Sequence, residues 1–312
     1  MEMRVCCGSA SRALAEEVCR LLGTELADVE LARFPDGEIG LRIQDTVRGR
    51  DVYIIQSTGP PVNEHLVELL VMIDAFRRAS AGRITAILPY YGYSRQDRKS
   101  APREPITAKL VANLLTIAGA NRLIALDLHA PAIHGFFDIW MDHITAVPLL
   151  ARALESRKQP ENVVVSPDTG RVKEAERYAR ILGVPLVVMH KQRRGPAEVE
   201  SRAVVGDVRG RSPIIIDDMI STGATIHQCA RALLAQGARD EIIVAATHGL
   251  LVGDARARLA IPAIREVLVT NTVAVSPDKA LPKLTVLSVA PLLAEAIKAI
   301  HADRSISYLL AE

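Results

Sequence analysis

Aromatic side chains are scarce in this chain of 312 residues, where Phe, Trp and Tyr together make up 4% of the sequence. The hydrophobic fraction is nevertheless 49%, so the core must be built from Val, Ile, Leu and Ala. That much apolar surface excludes an intrinsically disordered chain, because its burial offsets the entropy that is lost on folding. At roughly 150 residues per domain, the length suggests two domains.

Cysteine is also rare, and Cys6, Cys7, Cys19 and Cys229 show no C-x-x-C spacing and no companion histidine cluster. This pattern argues against a zinc knuckle or a disulfide framework and fits a reducing compartment. No apolar run approaches the ~18 residues of a membrane span. The glutamates near the N-terminus, beginning with Glu2, are not typical of a signal peptide. We therefore expect a cytoplasmic protein that does not enter a membrane.

The chain has no excess of charge of either sign, since 38 basic and 36 acidic residues give a formal net charge of +2. A balance this close to neutrality is not typical of a general nucleic-acid or membrane-surface binder. Any phosphate-bearing partner must therefore be recognised at a local site.

Short β-branched runs alternate with helical patterns along the chain, and the runs are apolar on both faces. The runs lie at 51–56, 84–88, 122–126, 162–165, 185–189, 213–217, 241–245 and 265–270. Helical patterns include 64–79 and 105–118, the second with Pro105 in its first turn. This alternation predicts an α/β fold of mostly parallel sheets flanked by helices. The polar segment 155–161 is the candidate linker between two such sets.

One segment combines two adjacent carboxylates with a small turn. Asp217 and Asp218 end a run of isoleucines, and residues 221–225 (STGAT) then lead into a helical pattern. Paired carboxylates can accept hydrogen bonds from a vicinal diol, and the N–H groups of such a turn can bind a phosphate. This pattern favours a ribose 5-phosphate group over the alternative, a capped strand–turn–helix with solvated aspartates.

Four further segments have both a functional and a bland interpretation when taken alone. Residues 90–103 hold three tyrosines among arginines and can bind phosphates or a base edge, or form a solvated basic turn or a nucleic-acid patch. His129 follows one strand pattern and Asp168 another, although a lone histidine there is more often a satisfied polar group than a metal ligand. Residues 191–196 (KQRRGP) suggest a loop that closes over phosphates, or simply an exposed hairpin.

Taken together, these segments resemble the ribose-phosphate pyrophosphokinase (PRPP synthetase) family, in its phosphate-activated class. The matching motifs, in the family's order, are FPDGE at 34–38, RQDRK at 95–99, DLHA at 127–130, SPD at 166–168, KQR at 191–193 and DDMISTGAT at 217–225. The similarity runs from about Gly8 to Leu310. Two alternatives remain open: a phosphoribosyltransferase, which shares the last motif, and a non-catalytic regulatory paralogue that binds synthetase subunits.

The resemblance implies two tandem phosphoribosyltransferase-like domains, at 1–150 and 151–300, with 301–312 packing back on the first. It implies transfer of the β,γ-diphosphoryl group of Mg-ATP to the C1 hydroxyl of ribose 5-phosphate, giving PRPP and AMP for purine, pyrimidine and pyridine nucleotide biosynthesis. Mg²⁺ is the implied cofactor and ATP a substrate. The resemblance also implies a homo-oligomer, namely a hexamer, because a neighbouring subunit completes the adenine site in this family. Inorganic phosphate and ADP are the implied regulators.

Roles are carried over to the residues of this chain that match the motifs. The resemblance implies that Lys191 and Arg193 are catalytic and that His129 and Asp168 lie at the metal. Contacts to ATP are implied for Phe34, Asp36, Gly37, Glu38, Arg95, Gln96, Asp97, Arg98 and Lys99. Contacts to ribose 5-phosphate are implied for Asp217, Asp218, Ser221, Thr222, Gly223, Ala224 and Thr225. A regulatory site is implied at Arg48, Ser305 and Ser307.

Three positions depart from the family's common pattern. Arg171 stands where a second glycine usually follows Gly170, and Ala224 stands where glycine is common. Ser221 replaces a frequent aspartate. We expect the long side chain of Arg171 beside Asp168 to crowd or alter the metal site.

Overall fold

The computed structural model describes residues 1–192 and 201–311, and the chain folds as two compact units. The first unit comprises Met1–Thr145, Thr272–Ala274 and Ser288–Glu312. The second unit comprises Ala146–Asn271 and Val275–Leu287. Each unit is thus built from discontinuous stretches of the sequence.

The described elements alternate between strands and helices, as the sequence predicts. The strands are β1 (Met3–Cys7), β2 (Val29–Arg33), β3 (Ile39–Ile43), β4 (Asp51–Ile55), β5 (Arg83–Leu88), β6 (Arg122–Leu126), β7 (Trp140–Ile144), β8 (Asn162–Ser166), β9 (Leu186–Gln192), β10 (Ser201–Val205), β11 (Ser212–Ile220), β12 (Ile242–Gly249), β13 (Ile264–Thr270) and β14 (Leu284–Leu287). The helices are α1 (Arg12–Leu22), α2 (Val62–Arg78), α3 (Thr107–Ala118), α4 (Val147–Glu155), α5 (Val172–Leu182), α6 (Ala224–Ala235), α7 (Ala255–Leu259) and α8 (Ala290–His301).

The first unit contains a parallel sheet in the order β1-β4-β5-β6-β7 and a separate antiparallel hairpin of β2 and β3. Every residue of β4 is buried, which explains the continuous apolar run in its sequence. Helices α2 and α3 cover one face and contribute Leu69 and Leu115 to its core. Helices α1 and α8 pack against each other within the same unit.

The second unit contains a sheet in the order β10-β9-β8-β11-β12-β13-β14, in which only β10 runs antiparallel among the described strands. Apolar clusters cover both faces. One cluster includes Ile226 and Leu233 of α6, and the other includes Leu150 of α4 and Tyr178 of α5. The prediction of an α/β fold with parallel sheets flanked by helices is confirmed.

The unit boundaries differ from those predicted. The predicted boundary at 150/151 falls inside α4, whose apolar residues Val147 and Leu154 are buried in the core of the second unit. The predicted linker 155–161 therefore joins α4 to β8 inside that unit. Helix α8, which the prediction placed in the second domain, belongs to the first unit.

The C-terminal segment lies along the edge of the first unit's sheet. The N–H of Thr145 donates to the carbonyl of Leu309 at 3.0 Å, and the N–H of Ala311 donates to the carbonyl of His143 at 2.9 Å. Ile144 and Leu310 form an antiparallel bridge. These bonds bring residues 309–311 beside β7, within the unit on which segment 301–312 was predicted to pack.

Candidate active site

The paired aspartates lie at the carboxyl end of β11, in the middle of the second sheet. The strand continues through both of them to Ile220, beyond the predicted end at Asp217, because Asp217 still pairs with Ala246 of β12. The carboxyl ends of parallel strands are where ligands bind in open α/β sheets. The pair is therefore placed where the sequence predicted a sugar site.

The turn after the strand is set by one glycine. Gly223 has φ +71° and caps the start of α6, a left-handed conformation that favours glycine. The N–H of His227 donates to the carbonyl of Gly223 at 2.9 Å, which closes the first turn of the helix. The N–H groups that precede it in the helix have no intrahelical acceptor and carry the positive end of the helix dipole. Ser221, Thr222, Gly223, Ala224 and Thr225 thus form a turn suited to an anion.

The two aspartates have unequal surroundings. Burial raises the pKa of Asp217 well above its ordinary value, and the nearby charges of Asp218 and Asp168 raise it further. Arg171 acts in the opposite direction. Its Nη2 lies 2.8 Å from Oδ2 of Asp218, a carboxylate that is 2% exposed as a residue. A largely buried guanidinium therefore pairs with Asp218, next to the charges of Asp217 and Asp168.

Asp168 caps the short turn that follows β8. Its Oδ1 accepts hydrogen bonds from the N–H groups of Gly170 at 2.8 Å and Arg171 at 3.2 Å. These bonds hold the carboxylate in one orientation. The side chain of Arg171 was expected to crowd or alter the metal site beside Asp168, and in the structure its guanidinium forms an ion pair with Asp218.

A magnesium ion was predicted at His129 and Asp168, and the residues present fit a particular kind of site. Within 1–192 and 201–311, no three His, Cys, Asp or Glu side chains are grouped to hold a metal ion. Mg²⁺ is commonly held by one or two carboxylates together with substrate phosphates and retained waters. Asp168, an oriented oxygen donor, fits this mode.

His129 belongs to the first unit, just after β6. Before it, Asp127 has φ +35°, and the N–H of Leu128 donates to Nε2 of His143 at 2.8 Å. The turn that presents His129 is therefore fixed by a neighbouring strand, because His143 lies on β7.

The predicted ATP residues Arg95 and Gln96 line a cavity of about 460 Å³ in the first unit. Gln96 is anchored to the start of α3: its carbonyl accepts from the N–H of Ala108 at 3.1 Å, and its Oε1 accepts from Oγ1 of Thr107 at 2.6 Å. Helix α3 begins at Thr107, so the predicted first-turn residue Pro105 precedes the helix. The following residues Asp97, Arg98 and Lys99 lie on the same polar loop, with Arg98 and Lys99 exposed.

The same cavity is also lined by the start of α2, which the sequence analysis did not single out as a site. Asn63 and Glu64 of the first turn of α2 line it, as does Tyr93, whose hydroxyl hydrogen-bonds to Oδ1 of Asn63. Tyr93 adopts φ +64°. The signal available was the polar pair at the start of a helical pattern, which composition alone does not distinguish from ordinary helix capping.

The β2–β3 hairpin carries the other predicted ATP residues at its exposed tip. The N–H of Phe34 donates to the carbonyl of Glu38 at 2.8 Å, and the N–H of Glu38 donates to Oδ1 of Asp36 at 3.1 Å. Gly37 has φ +94° and allows this tight turn. Phe34 is 57% exposed as a residue, so the tip presents an apolar side chain to solvent.

The other predicted residues are the catalytic pair and the regulatory set. The backbone of Lys191 lies in β9, paired with Arg202 of β10, and Arg193 lies outside the described residues. Arg48 is exposed and its backbone bridges to Ala81. Ser305 and Ser307 are exposed on the C-terminal segment, with 2.9 Å between their hydroxyl oxygens.

The helices were also compared with the length and hydropathy that a membrane span requires. No helix among 1–192 and 201–311 is long and apolar enough to cross a bilayer.

Comparison with known proteins gives consistent matches along the chain. Residues 3–119 match the family model for the N-terminal domain of ribose phosphate pyrophosphokinase. Residues 196–311 match the model for the phosphoribosyl synthetase-associated domain. The ribose-phosphate pyrophosphokinase of Rhodopirellula baltica is 49% identical over 314 residues, covering 100% of this chain and 99% of that protein. That of Bacillus subtilis is 47% identical over 296 residues, covering 95% and 93%.

A solved structure agrees with these matches. The crystal structure of phosphoribosylpyrophosphate synthetase from Mycobacterium smegmatis has a TM-score of 0.92 and 46% identity, covering 97% of this chain and 100% of that one. The predicted pair of phosphoribosyltransferase-like domains is confirmed. The chain belongs to the ribose-phosphate pyrophosphokinase family and is an enzyme of that type.

Proposed function

We propose that this enzyme transfers the β,γ-diphosphoryl group of ATP to the C1 hydroxyl of ribose 5-phosphate, giving PRPP and AMP. The oxygen of the C1 hydroxyl forms a bond to the β-phosphorus, and the bond from that phosphorus to the α,β-bridging oxygen breaks. AMP leaves with that oxygen, and the hydroxyl proton is released. The observation that carries the proposal is the aspartate pair at the end of β11, in which Asp218 is buried and Asp217 half-buried, followed by the turn at the start of α6.

The sugar substrate is bound at this carboxyl end of β11. Asp217 and Asp218 accept hydrogen bonds from the ribose diol, and the 5-phosphate is bound by the turn from Ser221 to Thr225 through its N–H groups and hydroxyls. Because the turn is fixed by Gly223 and the helix behind it, the site is largely formed before the sugar binds.

ATP is bound by the first unit. Arg95 and Gln96 line the cavity of about 460 Å³, and Gln96 is held by the start of α3. The guanidinium of Arg95 offers paired donors to phosphate oxygens. Asp97, Arg98 and Lys99 continue the polar surface of this loop.

Diphosphoryl transfer depends mainly on positioning and charge stabilisation. Asp168 and His129 are the residues that would hold Mg²⁺, and the ion would supply positive charge that offsets the charge of the phosphates. Lys191 and Arg193 stabilise the charge that develops on the transferred group. No side chain is assigned as a general base.

The proposal includes assembly and regulation. The enzyme forms a homo-oligomer, which we propose to be a hexamer. The exposed tip of the hairpin contacts the adenine that is bound to a neighbouring subunit, through Phe34, Asp36, Gly37 and Glu38. Inorganic phosphate activates and ADP inhibits at a site that includes Arg48, Ser305 and Ser307. PRPP made in this way supplies purine, pyrimidine and pyridine nucleotide biosynthesis. None of the four cysteines, all of them among the described residues, forms a disulfide bond, and the proposed location in the reducing cytoplasm rests on them.

A product assay tests this function. The purified enzyme is incubated with ATP, ribose 5-phosphate and Mg²⁺, and we expect AMP and PRPP to form in equal amounts only when all three are present. A phosphoribosyltransferase would instead consume PRPP with a nucleobase and release no AMP from ATP. If AMP formation does not depend on ribose 5-phosphate, the proposal is wrong.

A further inference from the structure

Arg171 makes side-chain contacts that a glycine, the residue common at this position in the family, could not make. Its side chain is 12% exposed, and Nη2 lies 2.8 Å from Oδ2 of Asp218. Its Nη1 lies 3.6 Å from Oε2 of Glu174, one turn further along the chain. The guanidinium is thus held between two carboxylates, and one of them belongs to the proposed sugar site.

The backbone of Arg171 is fixed as well. Its N–H donates to Oδ1 of Asp168 at 3.2 Å, in the turn that follows β8. Strand β8 pairs in parallel with β11, so the two carboxyl ends lie side by side in the sheet. Arg171 therefore joins the end of β8 to the aspartates at the end of β11.

The charges at this point of the sheet need such a cation. Asp217 and Asp218 are adjacent, the first half-buried and the second buried, and Asp168 adds a third carboxyl nearby. Adjacent carboxylates repel each other when water does not screen them. A guanidinium is planar and holds a carboxylate in a defined orientation, which a hydrated metal ion or an ammonium group does less strictly.

We propose that Arg171 is a positioning and specificity residue for the pentose phosphate: its ion pair holds the Asp218 carboxylate in the orientation that accepts hydrogen bonds from the 2,3-diol. This inference rests on the proposed function, which assigns the sugar to Asp217 and Asp218. The carboxylate of Asp218 accepts hydrogen bonds from both hydroxyls of the diol, and 2-deoxyribose 5-phosphate lacks one of them. The Arg171–Asp218 ion pair therefore helps the enzyme to discriminate ribose 5-phosphate from 2-deoxyribose 5-phosphate.

The test compares Arg171→Met and Arg171→Lys with the wild type. Binding of ribose 5-phosphate is measured by calorimetry without ATP or metal, and KM values for both substrates are measured with Mg-ATP. We expect Arg171→Met to weaken ribose 5-phosphate by about 10–100-fold, the usual effect of losing a residue that orients a binding group. The KM for ATP should stay unchanged, the preference for ribose over deoxyribose should fall, and Arg171→Lys should restore part of the loss.

A matched ion pair in the same unit provides the control. Arg157 lies 2.8 Å from Glu266, near the amino end of β13 and so at the opposite edge of the sheet. Arg157→Met should reduce stability without changing the affinity for ribose 5-phosphate. If both variants weaken the sugar alike, Arg171 acts only through folding and the proposal is overturned.

A double-mutant cycle completes the test. In an Asp218→Asn background, Arg171→Met should have little further effect on sugar binding, because its target is already removed. An additive effect would contradict the proposal, as would unchanged sugar affinity in Arg171→Met. A wild-type enzyme that forms no AMP from ATP and ribose 5-phosphate would instead refute the proposed function, so the two failures are distinguishable.

Discussion

Asp217 and Asp218 are neighbours in the sequence, yet their environments assign them different electrostatic roles. Burial and the adjacent negative charges raise the pKa of Asp217, whereas Asp218 faces the guanidinium of Arg171 at 2.8 Å. The two carboxyls therefore present different electrostatic environments to the sugar diol.

Replacing Asp217 tests the sugar assignment at the level of one residue. We expect Asp217→Asn to raise the KM for ribose 5-phosphate more than that for ATP, because the change removes an acceptor for the diol. Steady-state kinetics with each substrate varied in turn measures the difference. Asp207→Asn, at an exposed turn of the same unit, serves as the control and should change neither KM. Equal weakening of both substrates in Asp217→Asn would contradict the assignment.

Lys191 tests the catalytic assignment. We expect Lys191→Ala to lower kcat by about 10²–10³-fold while KM values stay within a few-fold, since its contact strengthens as charge develops in the transition state. Lys158→Ala, at an exposed position in the same unit, is the control. Turnover near the wild-type rate in Lys191→Ala would show that this lysine is not catalytic.

Arg171 marks the limit of sequence reasoning at this scale. The sequence predicts that its side chain lies near Asp168, since the two residues are three apart. It does not predict the ion pair with Asp218, which is 47 residues further along and comes close only because β8 and β11 pair in the sheet. Contacts between residues that are brought together by the pairing of distant strands cannot be predicted from the spacing of residues within one segment.

At the element scale, the strands that the sequence identified were the continuous apolar runs. The runs at 51–56, 122–126 and 265–270 correspond to β4, β6 and β13. Strand β7 was missed because Asp142 and His143 interrupt its apolar pattern. The structure satisfies both polar groups: Asp142 lies 2.5 Å from Nη1 of Arg122 on β6, and His143 accepts a backbone hydrogen bond.

A buried polar network joins three elements of the first unit. Asp51, at the start of β4, accepts hydrogen bonds from Nε of Arg83 at 2.7 Å and from the hydroxyl of Tyr53 at 2.9 Å. Nδ1 of His301, at the end of α8, lies 2.8 Å from Oδ2 of the same carboxylate. Burial raises the pKa of Asp51, but the hydrogen bonds from Arg83, His301 and Tyr53 outweigh burial and lower it overall. The network therefore fixes the end of α8 against the sheet.

Removing the arginine tests this network. Since breaking a buried ion pair costs about 3–5 kcal/mol, we expect Arg83→Met to lower the free energy of unfolding of the first unit by about 3 kcal/mol at neutral pH. Arg78→Met, which removes an exposed pair with Asp74, is the control and should have little effect. Urea titrations of the three proteins measure the difference.

The pH dependence of that difference has a defined sign. Asp51 has a lower pKa in the folded than in the unfolded protein, so it stabilises the fold above its unfolded pKa of about 3.9. That contribution is lost as the pH falls through the lower folded value. The gap between wild type and Arg83→Met should therefore be constant near neutrality and shrink below about pH 4. A gap that persists at the lowest pH would show that the ion pair with Asp51 is not its cause.

At the scale of the whole molecule, the chain crosses between its two units more than once. Residues 288–312 return to the first unit after β14, although the second unit precedes them in sequence. The sequence predicted this return only for 301–312. The sequence of α8 has the pattern of an ordinary amphipathic helix, and that pattern does not indicate against which of the two hydrophobic cores the helix packs. The apolar residues of α8 show only that one of its faces is buried.

Regulation belongs to this scale. We expect inorganic phosphate to activate the enzyme, and ADP to inhibit it in a way that saturating ATP does not overcome. Arg48→Ala should reduce both effects together, because two ligands that share a site respond to the same lost contact. Initial rates over a matrix of phosphate, ADP and ATP concentrations measure this, with Arg42→Ala as the exposed control. Inhibition by ADP that is purely competitive with ATP, without any response to phosphate, would remove the regulatory claim.

The fate of the ATP phosphates tests the central claim most directly. ATP labelled at the γ-phosphorus is incubated with the enzyme, Mg²⁺ and ribose 5-phosphate, and the products are separated and counted. Transfer of the β,γ-diphosphoryl group predicts that the label appears in PRPP, with one AMP formed for each PRPP and no ADP. Label in a ribose bisphosphate together with ADP, or no transfer of label to the sugar at all, would contradict the account.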